Sequence, residues 1–347
     1  EMLVIDGIYL SAARTKASKE SKPDVLYSTI AHELQHLIRF PYELKRSNIT
    51  SPIDPLTLPS TITFDDTWIN EGTSEVISDI AGYGPQSDRI KCFRGDPSNT
   101  NSSCTNGFIA KSMISWSSNI LNYSYAYAFM NYLYYNSGTS TTTRNSFLKS
   151  TTTGSSTRGS SITGLMSVFK NASNYSSTLL SSDTSTMFKR LFALFLAQTL
   201  KYSSSSTAYY GSTTGSSMSS LYSTYSYPSN LTSLMNLPTY LPTVTGSSFE
   251  LYPTVSYRVS GTSSGPSNSN AVVVQSTGSE YVIFNGSTSS SSYITTSASV
   301  KSNQQSESNL PGFDMKAVFS YPEQKDFCTH QYFIERFLHK NNNILHY

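Results

Sequence analysis

The 347-residue chain is short of charge, and that absence excludes several functions. Only 13% of its residues are charged, and 24 Lys+Arg nearly balance 22 Asp+Glu, leaving a net charge of +2. Such a chain has neither the basic footprint of a nucleic-acid-binding protein nor the one-signed face of a membrane-surface protein. No run of 18 apolar residues occurs, so no transmembrane segment is expected. The three cysteines, Cys92, Cys104 and Cys328, are too few for a disulfide-framed fold and are not spaced as a zinc knuckle. Cys92 and Cys104 are spaced to close one small loop. Histidine is scarcer than chance spacing would scatter it: of five, two stand at positions 32 and 36 and none follows until His330. Neither a basic n-region nor an apolar h-region opens the sequence, so an export signal is expected upstream of Glu1.

Serine, by contrast, makes up about a fifth of the chain. That bias suits a secreted or cell-surface protein. The 37% hydrophobic content, with 25 Tyr and 17 Phe, is enough for a packed core. Length points to two domains or one large one.

Residues 3–10 read as a β-strand, rich in β-branched and aromatic side chains. A helix is predicted from Pro23 and Asp24, with Val25, Leu26, Ile30, Leu34, Leu37 and Ile38 at helical spacing and Pro41 as its end. A second helix is expected from Asp66 or Thr67 to Gly82 and a third over residues 121–136. Residues 139–163, a Ser/Thr/Gly stretch poor in apolar residues, read as loop, with order resuming at Leu165. Met187 to Leu196 give a further helix capped by Thr184 or Ser185. Between 247 and 300 short alternating runs separated by Gly, Ser and Asn predict a small all-β, sandwich-like module. The expected fold is therefore α+β. Residues 1–200 form a mostly helical domain with one edge strand, 201–246 a Tyr/Ser-rich connector, 247–310 the β module, and 311–347 a tail of different composition.

The chemistry concentrates in Ala31-His32-Glu33-Leu34-Gln35-His36, an H-E-x-x-H pattern inside a predicted helix. Random assembly from this composition would produce that pattern roughly 0.002 times. Residues i and i+4 share a helix face, so His32 and His36 can offer imidazole nitrogens to one ion, with Glu33 in reach of a metal-activated water. Catalytic zinc needs a third protein ligand. Arg39 and Tyr42 stand where a three-histidine pattern would continue, so that arrangement is excluded and a carboxylate must close the site. Glu71 and Glu75, at i and i+4 on the second helix, are the candidates, and Asp79 continues their stripe.

His32-Glu33-Leu34-Gln35-His36 followed by Trp68-Ile69-Asn70-Glu71-Gly72-Thr73-Ser74 resembles the gluzincin metallopeptidases, most closely the hyicolysin-like group of bacterial secreted zinc peptidases. The resemblance runs from Met2 to about Leu200, and Tyr123-x-x-x-Tyr127-x-Phe129 is similar to that group's next helix. It implies a zincin-like catalytic domain, Zn²⁺ held by His32, His36 and Glu71, and Glu75 buttressing the first histidine. Were Glu71 not the ligand, Glu75 would replace it. The implied activity is metalloendopeptidase hydrolysis of a protein or peptide substrate, with Glu33 as general base and then acid. An oxyanion donor is also needed, and no histidine before His330 is left for it, so Tyr123 or Tyr127 is expected to serve. The strand at 3–10 offers an edge for an extended peptide. No nucleic acid is expected among the partners, and association with the cell envelope is compatible with the composition. A reading from another class is a surface adhesin or matrix-binding protein on an inactive zincin scaffold, which the Ser/Thr/Tyr richness and the β module would suit. An aminopeptidase is disfavoured, because no G-x-M-E-N sequence is present to capture a free amine.

Overall fold

The computed structural model describes residues 24–49, 59–154, 158–211, 214–227, 231–232 and 240–300. The strand expected at 3–10 and the tail beyond 310 lie outside these residues. The described chain is mixed helix and sheet. Its elements are α1 (Asp24–Arg46), α2 (Thr67–Ser78), α3 (Ser87–Phe93), α4 (Ile120–Asn136), α5 (Thr141–Thr153), α6 (Ile162–Phe169), α7 (Ser177–Leu180), α8 (Thr184–Thr199) and α9 (Ser219–Thr224). The strands are β1 (Thr207–Tyr210), β2 (Ser216–Ser217), β3 (Ser248–Leu251), β4 (Ser256–Ser260), β5 (Ser263–Pro266), β6 (Ala271–Gln275), β7 (Glu280–Asn285) and β8 (Ile294–Val300). Among the described residues no helix is long and apolar enough to cross a membrane.

Helix α4 is the axis of the core. Every residue in it except Ile120 and Tyr135 is buried, as a helix apolar around most of its circumference must be. It packs against α2 and α3 on one side and meets α8 through Phe129, whose ring lies 5.2 Å from those of Phe192 and Phe195. Asn119 caps its start by accepting from the Asn122 amide at 3.0 Å. Contact with α2 is close enough that a Cβ on Gly72 would lie 2.9 Å from the Ala126 carbonyl oxygen. Glycine at that position therefore lets the two backbones meet directly beside Glu71.

All five strands of one sheet, in the order β2-β1-β6-β7-β4, pair antiparallel. The other sheet runs β3-β8-β5. Val272, Val274, Val282 and Phe284 turn one face of the large sheet onto the helices, and Phe284 stacks edge-on with Phe192 at 5.1 Å. Val273, Ile283 and Tyr281 turn the other face onto Phe249, Leu251 and Ile294 of the small sheet. The large sheet is thus covered on both sides, which is why residues 271–274 of β6 and 281–284 of β7 are continuous apolar runs and do not alternate.

Three expectations need correction. Helix α1 does not stop at Pro41 but continues to Arg46. The missing amide costs one backbone bond, while Arg46 Nη1 donates to the Thr152 carbonyl at 2.7 Å and Arg46 Nη2 to Asp65 Oδ2 at 2.9 Å, holding the last turn in place. Residues 139–163 are not loop throughout: α5 fills most of them. A capping box between Ser140 and Thr143 starts α5, and Phe147 and Leu148 are enough to bury one face. The cap of α8 is Asp183, which accepts from the Thr186 amide at 2.8 Å, and not Thr184 or Ser185. The second helix begins at Thr67 as expected. It ends at Ser78 and runs on into a π-helical segment, Asp79–Tyr83, inside which Gly82 has a φ of 103° that only glycine adopts without strain. The 201–246 stretch contributes β1 and β2 to the large sheet. Cys92 and Cys104 form a disulfide, buried against Leu121.

Candidate metal centre

The centre is built where α1 crosses α2. Gln35, His36, Arg39 and Glu43 form the buried stripe of α1, and Glu71 and Glu75 face them from α2 at 3% and 4% exposure. Spacings of three or four residues place His36, Arg39 and Glu43, and likewise Glu71 and Glu75, one turn apart on a single face. His32 Nε2 lies 3.0 Å from Glu71 Oε2, and His36 Nε2 lies 3.4 Å from the same oxygen. One ligand atom from each of His32, His36 and Glu71 falls within a span of 4.8 Å, so this group could hold a metal ion.

The opposite edge of each imidazole meets an oxygen acceptor carried by α2. His36 Nδ1 lies 3.0 Å from Asn70 Oδ1, and His32 Nδ1 lies 3.8 Å from Glu75 Oε1. When an ion takes the place of the Nε2 proton, an acceptor at Nδ1 keeps the remaining proton on that side of the ring. Ser74, one turn beyond Asn70, donates to Gln35 Oε1 and ties the two helices together between the histidines.

Charge in the group reinforces the pairing. Burial acts to discharge His32, but the hydrogen bond to Glu71 and the negative charges of Glu75, Glu71 and Glu33 outweigh it and raise its pKa. Burial likewise acts to protonate Glu71, yet the hydrogen bonds from His32 and His36 prevail and hold its carboxyl far below the usual carboxylate range. Glu71 is therefore an anion in place before any cation arrives. Glu33, next in sequence to His32, is half-buried beside the group.

Of the residues expected from sequence, His32, His36, Glu71 and Glu75 are brought together, with Glu33 adjoining them. Tyr127 is placed elsewhere. Its hydroxyl donates to Asp79 Oδ2 at 2.7 Å and accepts from the Gln86 amide at 3.1 Å, in a group completed by Asn131. Asp79 lies eight residues beyond Glu71, about 12 Å along a helix axis. Tyr123 lies under the Arg89 guanidinium, 5.1 Å from it, and edge-on to Trp116.

Arg89 carried no signal in the sequence. It projects from α3, and its Nη2 donates to Glu75 Oε1 at 2.7 Å. Asp65 was equally silent: fully buried at the entrance to α2, it accepts from Arg39, Arg46 and Arg158. Both contacts join residues far apart in the chain, and no local pattern announces such pairs. No protein-family model matches the chain, and no curated protein or solved structure matches it either. Geometry and donor chemistry alone then carry the functional assignment.

Proposed function

We propose that the chain is a zinc-dependent metalloendopeptidase with a zincin-like catalytic fold, exported from the cell. The observation that carries this is the convergence of His32, His36 and Glu71 from two helices, with Glu33 adjoining. Two imidazoles and one carboxylate form the donor set that suits zinc in a catalytic role, where three protein ligands leave one position for water or substrate. His32, His36 and Glu71 would hold the ion, and the Nδ1 contacts to Glu75 and Asn70 fit that use. When bound, zinc supplies Lewis acidity, lowering the pKa of a water toward neutrality and polarising the scissile carbonyl.

The remaining steps belong to side chains. Glu33 takes the proton of the attacking water and delivers it to the leaving amine. Glu71 and Glu75 keep the site negative, which favours the cation. Tyr127, one of the two tyrosines considered as oxyanion donors, has its hydroxyl engaged by Asp79. The Cys92–Cys104 disulfide and the serine-rich composition support an oxidising, extracellular setting.

The test is cleavage of an unfolded protein by wild type and Glu33→Gln, each with and without a zinc chelator, alongside metal analysis. Cleavage by untreated wild type alone is expected. Glu33→Gln should keep about one zinc per chain and lose roughly 10²–10⁴-fold in rate. Zinc binding without cleavage by wild type, or no zinc at all, would turn the assignment to the surface-adhesin reading.

A further inference from the structure

Two side chains meet the same Glu75 carboxylate oxygen, and only one of them belongs to the metal centre. Its Oε1 lies 3.8 Å from His32 Nδ1 and 2.7 Å from Arg89 Nη2. The Glu75 side chain is 5% exposed and that of Arg89 27%. A buried carboxylate needs a strong partner, and at 3.8 Å the His32 contact is too long to be that hydrogen bond. Arg89 supplies it.

We propose that Arg89 is a positioning residue of the metal centre, holding the Glu75 carboxylate at the Nδ1 edge of His32 so that Nε2 is the nitrogen offered to the ion. This rests on the metal-centre reading above. Three features make Arg89 suited to the task. Its guanidinium lies over the Tyr123 ring, which Trp116 braces edge-on at 5.0 Å, so its direction is set before Glu75 is engaged. It projects from α3 one turn before Cys92, whose disulfide to Cys104 packs on Leu121 of α4. Helix α3 also packs along α4, the element against which α2 is pressed. Arg89 thus reaches Glu75 from a support independent of both ligand-bearing helices.

The bland alternative is an interhelical ion pair that only adds stability. A pair in which one member is part-exposed contributes about 0–1 kcal/mol in that role, and removing it would leave the centre unchanged. The two accounts differ in what the metal feels. Partners behind a ligating histidine typically change metal affinity 10–100-fold.

The experiment measures zinc affinity by competition with a chromophoric chelator, and the visible spectrum of the cobalt-substituted protein, for wild type, Arg89→Met, Arg89→Lys, Glu75→Gln and the Arg89→Met/Glu75→Gln double variant. Melting temperatures of the metal-free proteins report folding separately. Arg89→Met is expected to lose 10–100-fold in zinc affinity and to shift the cobalt bands while melting close to wild type, with Arg89→Lys recovering part of the loss. Because the effect runs through Glu75, the double variant should bind no worse than Glu75→Gln alone. Should Arg89→Met fail to fold, Arg89→Lys against wild type, in affinity and in cobalt bands, decides the matter. Zinc affinity within about twofold of wild type and unshifted cobalt bands in the Arg89 variants, or losses that simply add in the double variant, overturn the positioning role and leave the metal centre standing. Absence of zinc and cobalt binding in wild type overturns both.

Discussion

Asp65 and Glu71 stand six residues apart, both buried, and each is met by basic side chains from α1. Their partners differ. Asp65 accepts from Arg39 Nε at 3.0 Å and lies 2.9 Å from the Nη2 atoms of Arg39 and Arg46, with Arg158 Nε at 3.0 Å. Glu71 accepts from His32 and His36. An arginine side chain carries no removable proton under ordinary conditions, so the Asp65 cluster can only be a fixed joint. A histidine can surrender its proton near neutrality and present a lone pair instead, so the Glu71 cluster can exchange protons for a metal ion. Two carboxylates in similar burial thus separate into structure and site by the chemistry of their partners.

The joint also extends further than the centre. Arg39 Nη2 donates to the carbonyls of Thr151 and Gly159, and Arg46 Nη1 to that of Thr152, so α5 and the segment leading to α6 are tied to the same point. Breaking it should have the largest effect of any single change here. Asp65→Ala leaves three guanidinium groups clustered without their carboxylate and is expected to cost about 3–5 kcal/mol of stability. Chemical denaturation measures this. A loss under about 1 kcal/mol would mean the cluster is not the joint it looks to be. Zinc binding should fail in Asp65→Ala only as the protein unfolds, and excess zinc should recover part of the stability by mass action.

Glu71→Gln probes the other carboxylate. The amide keeps the shape and one acceptor, so the metal-free protein should lose only about 1–3 kcal/mol. Zinc affinity, however, should fall by more than the 10–100-fold that follows from altering a partner behind a ligand. Isothermal titration with zinc checks the second figure and denaturation the first. If Glu71→Gln bound zinc as wild type does, Glu75 would have to be the third ligand and the comparison with Asp65 would lose its point.

What could be read from the amino-acid sequence divides along similar lines. His32, His36, Glu71 and Glu75 were legible because helical periodicity alone puts each pair on one face, and because scarce histidines four residues apart are improbable by accident. Helix α4 was legible from its apolar run and α8 from its spacing of Phe and Leu. Helix α5 was not, since eleven of its thirteen residues are polar or basic and its order comes from a capping box and from burial of Phe147 and Leu148 by the rest of the fold. Strands β1 and β2 were hidden because four and two residues are too short to show a period, and because pairing with β6 is a long-range fact. Arg89, Asp65 and the Tyr127–Asp79 bond depend on which helices meet. Composition and spacing carry no information on that.

The smallest effect expected is also the one that most sharply separates the two clusters, because it depends on protons alone. His32 has its pKa raised above the ordinary 6.5, so its contribution to the metal-free fold is complete below that value and is lost as pH rises through the raised one. Glu71 is depressed below the ordinary 4.5, so its contribution is present above that value and is lost only as pH falls through the depressed one. Between about pH 4.5 and 6.5 the metal-free pair therefore contributes fully. Zinc must displace the His32 proton, so zinc stabilises least in that window and progressively more above it. Each pH unit below the raised His32 value should cost about tenfold in apparent zinc affinity, or about 1.4 kcal/mol. Melting curves with and without saturating zinc, taken from pH 5.5 to 8, should show a zinc-dependent shift that grows with pH. In Asp65→Asn, if it folds, the same growth should persist, since the arginine cluster exchanges no proton in this range. A zinc shift independent of pH would show that binding displaces no proton, and His32 would then not be the ligand that its place beside Glu71 implies.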